Sequence, residues 1–157
     1  MTASAGVTVR NLDTSCRLNE KLLSKIAARC ARLATKKRAE LDIVFVDARA
    51  MRRLNKRYKG SSRLTDVLSF KMGIEGRGVK RFVGAIAVCP CAARKNAKAF
   101  GTRFEEELAL YVIHGILHLY GYDDVTKAGR ERMSKRQNAI LRKICESVGL
   151  SKVSMPR

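Results

Sequence analysis

A chain of 157 residues, 46% of them hydrophobic, is long enough to bury one core and short enough to hold one domain, so residues 1–157 are expected to fold as a single unit without disulfide support. Lys and Arg number 33 against 14 Asp and Glu, a formal net charge of +19. Such a field gathers polyanions, nucleic acid first and an anionic membrane surface second, while the lack of any apolar run near the roughly 18–20 residues of a spanning helix excludes a helical membrane protein.

Val7 and Val9 alternate as a short first strand. Leu18, Leu22, Leu23, Ile26, Ala27, Cys30 and Leu33 then recur at helical spacing, predicting an amphipathic helix that ends in Lys36, Lys37 and Arg38, where cations suit the negative end of the dipole. Leu41–Val46 reads as a buried strand, and Asp47 as the cap of a basic helix reaching about Tyr58. A polar turn from Gly60 to Thr65 leads to a strand around Val67–Phe70. Gly73, Gly76 and Gly78 mark a hairpin-like connection to the strand Phe82–Val88. Pro90 stops that strand, and a short basic helix runs to Gly101. Thr102 and Glu105 have capping-box spacing, which starts the most apolar helix of the chain, with Leu108, Tyr111, Val112, Ile116, Leu117 and Leu119, ended by Gly121. The last helix, Ala128 to Val148, places Met133, Ile140, Leu141, Ile144 and Val148 on one face and Arg130, Arg132, Lys135, Arg136, Arg142 and Lys143 on the other. The order predicts an α+β fold: a small mixed sheet of about four strands packed against helices, with the apolar helix in the core.

Five cysteines, odd in number and without C-x-x-C pairing, read as reduced thiols. A cytoplasmic location follows, with an organellar matrix left open by the acid-poor start. One residue between Cys89 and Cys91 is poor spacing for zinc.

The chemistry concentrates in His114-Gly-Ile-Leu-His118, which contains the only two histidines. Spacing of i, i+4 on a helix turns both imidazoles to one side, within reach of one ion. Gly121 then breaks the helix and the chain turns through Tyr122, Asp123 and Asp124. The pattern His-x-x-x-His-x-x-Gly-x-x-Asp is how metzincin proteases bring a third ligand round to a helical His pair, and spacing leaves Asp123 and Asp124 both open for that role. Gly115 stands where those enzymes carry the Glu general base, which argues against peptide cleavage. A metal that polarises a phosphoryl oxygen suits the charge better.

These residues resemble a known signature. His114-Gly-Ile-Leu-His118-Leu-Tyr-Gly-Tyr-Asp123-Asp124 is similar to that of the YbeY endoribonucleases. Leu54-Asn55-Lys-Arg-Tyr58-Lys59-Gly60, followed by Thr65-Asp66-Val67-Leu68-Ser69-Phe70, resembles the family's second motif. Gly84-Ala-Ile86 and Glu107-Leu108 fall in the same register, and the resemblance covers about Val7 to Val148. It implies one zinc ion on His114, His118 and Asp124, and single-strand-specific RNA cleavage in ribosomal RNA maturation. It also implies association with the small ribosomal subunit, Lys59 as a catalytic cation, and Arg57, Lys59, Arg63 and Ser69 against the substrate. Phosphate contacts are expected to extend over Arg52 and Arg53.

The chain departs from the family in four places. Asp124 replaces the usual third His and, being anionic, cancels one unit of metal charge, which is expected to move the activity optimum to higher pH. Lys59 replaces an Arg and cannot grip phosphate bidentately. Leu64 replaces a Pro, which should loosen its turn, and Ala85 replaces an Asp. The competing expectation is a ribosome- or RNA-binding protein that keeps the fold with catalysis weakened.

Overall fold

The computed structural model describes residues 5–75 and 81–156. In chain order these form β1 (Ala5–Asn11), α1 (Glu20–Ala34), β2 (Arg38–Phe45), α2 (Ala48–Lys59), β3 (Val67–Glu75), β4 (Arg81–Val88), α3 (Pro90–Phe100), α4 (Phe104–Leu119) and α5 (Lys127–Ser147), closed by a 3-10 turn at Leu150–Lys152. The expected α+β architecture is present. The sheet has the order β1-β2-β4-β3, with β1 and β4 parallel to β2 and β3 antiparallel to β4.

Strict alternation along β2 decides which way the sheet faces. Ala39, Leu41, Ile43 and Phe45 are buried, while Glu40, Asp42 and Val44 between them are half-buried on the opposite face. The buried face receives α4, which touches β3, β4, α1, α3 and α5. A helix apolar all round belongs in the core, and between Glu107 and Leu119 only Leu110, His114 and His118 escape burial. These three follow one another at i, i+4 and i+8, so beyond the first turn of α4 the histidines lie on the stripe that reaches a surface.

Two glycines let α4 approach the sheet this closely. A Cβ at Gly115 would lie 2.8 Å from Ile86 Cγ2 and 3.0 Å from Val67 Cγ2. One at Gly84 would lie 2.6 Å from Leu119 Cδ1. Hydrogen at these positions replaces a methyl group that the packed interior has no room for.

Several boundaries differ from those read off the sequence. The first helix ends at Ala34, because Thr35 is extended and its N–H closes on Ala31 O; Arg38 already pairs with Arg81 in the sheet. Leu18 precedes that helix and bridges Ser154. The capping box does not form. Thr102 N–H donates to Ala97 O at 3.0 Å to finish α3, so Arg103 takes the cap position and Thr102 Oγ1 donates to Glu107 Oε1 at 2.8 Å. Gly73 lies inside β3 at a register shift rather than in a turn, whereas Gly76 and Gly78 lie outside the described residues.

Candidate metal centre

The end of α4 is built to deliver a third side chain to its histidines. Gly121 adopts φ +93°, Gly121 N–H donates to His118 O and Tyr122 N–H to Leu117 O, both at 3.1 Å. This Schellman arrangement reverses the chain immediately after His118. Asp123 Oδ1 then accepts from Val125 N–H at 2.8 Å, which commits that carboxylate to the turn. Thr126 caps α5 by accepting from Gly129 N–H at 3.0 Å, and Arg130 donates to the carbonyls of Asp124 and Val125 at 3.3 and 2.8 Å. Gly129 matters sterically as well, since a Cβ there would meet Asp123 O at 2.3 Å.

Asp124 is thereby aimed back at the helix. His114 Nε2 and His118 Nε2 are 3.0 Å apart, and Asp124 Oδ2 lies 3.7 and 3.6 Å from them. Donors on one tetrahedral zinc at ordinary bond lengths lie about 3.3–3.5 Å from one another. The observed triangle brackets that spacing, so the residues present fit a divalent ion. Among the described residues this is the one cluster of three such groups. On the far side of the first ring, His114 Nδ1 lies 2.9 Å from Gln137 Oε1 on α5. An amide oxygen accepts only, so this contact favours the tautomer with its proton on Nδ1, which leaves Nε2 with a lone pair for an ion.

The cluster opens into a 540 Å³ cleft whose lining includes Asn55, Lys59, Thr65, Asp66, Ser69 and Lys71. The opposing wall is held by α2 and the turn after it. Asp47 caps α2 by accepting from Ala50 N–H at 2.7 Å, and Gly60 ends it in the left-handed conformation at φ 73°, leaving Lys59 as its last residue. Asn55, buried, donates to Arg63 O at 2.9 Å, and Ser61 Oγ accepts from Arg63 N–H at 3.3 Å. The turn that carries Leu64 instead of Pro is therefore braced by side chains.

Of the residues expected against substrate, Lys59 and Ser69 line the cleft. Ser69 also donates to Gly115 O at 2.9 Å, tying β3 to α4. Arg57 and Arg63 are exposed on α2 and its turn but are not among the cleft-lining residues; the Arg57 guanidinium lies 5.6 Å from the Tyr58 ring centre. Cys89 is buried and Cys91 exposed, so they do not face a common site. The sequence reading missed Gln137, Gly129 and Lys71, and it named Asp66, which lines the cleft, only as part of the second motif. Gly129 alone left a signal, as an isolated glycine at the start of a helical pattern.

The family model described as "Endoribonuclease YbeY" matches residues 8–145, which include every residue of the cluster and of the cleft. The chain belongs to the YbeY endoribonuclease family. Relatives named Endoribonuclease YbeY from Staphylococcus aureus strains JH9, Newman and JH1 are each 36% identical over 110 residues, covering 66% of this chain and 71% of theirs. A protein of Thermotoga maritima with a known solution structure is 27% identical and superimposes with a TM-score of 0.59, over 90% of this chain and 89% of that one. Membership of the YbeY family makes RNA the substrate class and phosphodiester hydrolysis the reaction class. No helix among the described residues is long and apolar enough to cross a membrane.

Proposed function

We propose that this chain is a metal-dependent endoribonuclease that cuts single-stranded RNA in ribosomal RNA maturation, using one zinc ion held by His114, His118 and Asp124. The observation that carries the reading is the convergence of two imidazole nitrogens and one carboxylate oxygen, 3.0 to 3.7 Å apart, beside a cleft that Lys59 also lines. A divalent ion there supplies Lewis acidity toward a phosphoryl oxygen and acidifies a water for hydrolysis.

The chain's own residues do the positioning. Gln137 fixes the His114 tautomer. Lys59 brings a point charge to the cleft and holds the RNA backbone beside the reacting phosphate. Arg52, Arg53, Lys56 and Arg57, all exposed on α2, extend the field that draws the strand in. A peptidase reading is disfavoured on space as well as chemistry: a side chain at position 115 would enter Ile86 and Val67, so no carboxylate base fits there. The small ribosomal subunit is the proposed site of action, in the cytoplasm or an organellar matrix.

The test is cleavage of labelled single-stranded RNA by zinc-loaded protein, with duplex RNA and a peptide as controls. Removing a charged hydrogen-bonding group of this kind costs about 1.5–3 kcal/mol, so Lys59→Ala should lower kcat/KM by roughly 10- to 100-fold at unchanged metal content. An inactive zinc-loaded wild type that still binds RNA would favour the binding-protein alternative. Equal activity in Lys59→Ala would remove that residue from the site.

A further inference from the structure

The cleft does not end at the metal cluster. A second cavity of 660 Å³ opens beside it, and Lys59, Ser69 and Lys71 line both. Its floor is the face of the sheet turned away from α4, where Val44, Ala85 and Ala87 present small side chains in matching register across β2 and β4. Its walls differ in kind from those of the first cavity.

Tyr58, 54% exposed on the last turn of α2, lines the groove with its ring held edge-on against Phe70, centroids 4.8 Å apart at an interplanar angle of 65°. Met72 also lines the groove, 67% exposed because the register shift between Lys71 and Gly73 leaves it outside the ladder pairing. Arg10 also lines the groove. Asp42 is the one carboxylate among the described lining residues, and it accepts from Thr8 Oγ1 at 2.9 Å and from Arg10 Nη2 at 3.4 Å. The groove thus offers an aromatic ring, an apolar floor and a neutralised acid, and it shares Lys59 and Lys71 with the metal cleft.

Those are the features that unpaired nucleic acid recognises, since every unstacked base has a π face and every phosphate an anion. A duplex keeps its base faces covered and cannot use the ring. We infer that this groove is the track for the single-stranded RNA on one side of the scissile phosphate, with Tyr58 as the platform on which a base stacks. The inference rests on the nuclease reading of the adjoining cleft and gives that reading a physical source of strand selectivity. The substrate extends over the sheet, and Ala85 leaves its path free of a second carboxylate.

The experiment is fluorescence anisotropy of a labelled eight-nucleotide single-stranded RNA on the full chain in EDTA, which halts turnover. Tyr58→Ala should weaken binding at least about five-fold and Tyr58→Trp should keep it, as loss and retention of one stacking partner require. Ala85→Asp, which adds an anion to the floor, should also weaken it. A duplex of equal length should bind more weakly and be indifferent to Tyr58→Ala. Binding by Tyr58→Ala within two-fold of wild type, or an equal loss for single strand and duplex, overturns the track. Cleavage of the same RNA after zinc is restored reads the nuclease claim separately. An active wild type with Tyr58-indifferent binding sinks the track alone, and an inactive one with Tyr58-dependent binding sinks the nuclease alone.

Discussion

His114 can present a lone pair at Nε2, on the Asp124 side, when the Gln137 amide oxygen accepts a hydrogen bond from Nδ1–H, 2.9 Å away. Groups that orient a metal-bound imidazole in this way typically contribute 10- to 100-fold in affinity. Gln137→Ala should therefore weaken zinc binding by about that factor in a chelator competition, and Gln137→Glu, which keeps an acceptor oxygen, should restore it. An unchanged affinity in the alanine variant would mean that the amide contact is incidental. Nothing in the sequence around Gln137 announces this role, for it lies on a different helix and among charged neighbours. The histidines were legible because i, i+4 spacing is a property of the helix itself. Which of Asp123 and Asp124 lies beside the imidazoles was not, because that depends on which carboxylate the turn engages, and Val125 N–H donates to Asp123.

Between elements, the junction of α4 and α5 governs where Asp124 points. Gly129 lies against the backbone of Asp123, and a carbonyl oxygen 2.3 Å from a new Cβ cannot move without taking the loop along. Gly129→Ala is expected to lower zinc affinity by an order of magnitude or more while the rest of the fold survives. Isothermal titration beside a thermal melt separates the two effects. Wild-type affinity in this variant would show that the loop is free to adjust. Helices with a strong periodic core were readable from sequence, and Asp47, Pro90 and Gly101 mark ends that the structure keeps. The failed capping box at Thr102 and Glu105 shows what local patterns omit. Thr102 had already given its backbone N–H to close α3, so α4 could begin only one residue later. Lys36 and Lys37 likewise read as helix because their charge suits a helix end. The extended Thr35 instead turns the chain toward β2, whose pairing with β1 and β4 is a long-range demand.

At the scale of the molecule, the sheet order β1-β2-β4-β3 could not be read from the chain, since pairing joins segments far apart in sequence. What was legible is the cationic exterior and the placing of Cys30 and Tyr111 on core faces; the structure adds Cys16 and Cys89 to the buried groups. Burial raises Cys16 from 9.0 to about 11, and raises Tyr111 and Tyr120 from 10.0 to about 12. Burial pushes Cys30 and Cys89 upward in the same way. Above pH 9 the unfolded chain releases protons that the folded chain retains, so stability is full below that pH and declines as pH rises through it. Urea unfolding should show a lower midpoint at about pH 10 than at pH 8, and an equal or higher one would contradict the burial of these groups.

The central claim is that one divalent ion joins α4 to the loop after it, and elemental analysis of purified, zinc-equilibrated protein tests it most directly. About one zinc per chain is expected for the wild type, with none retained by His118→Ala or Asp124→Ala while both variants keep the wild-type circular dichroism. A wild type that holds no metal, or two variants that both keep it, would contradict the account.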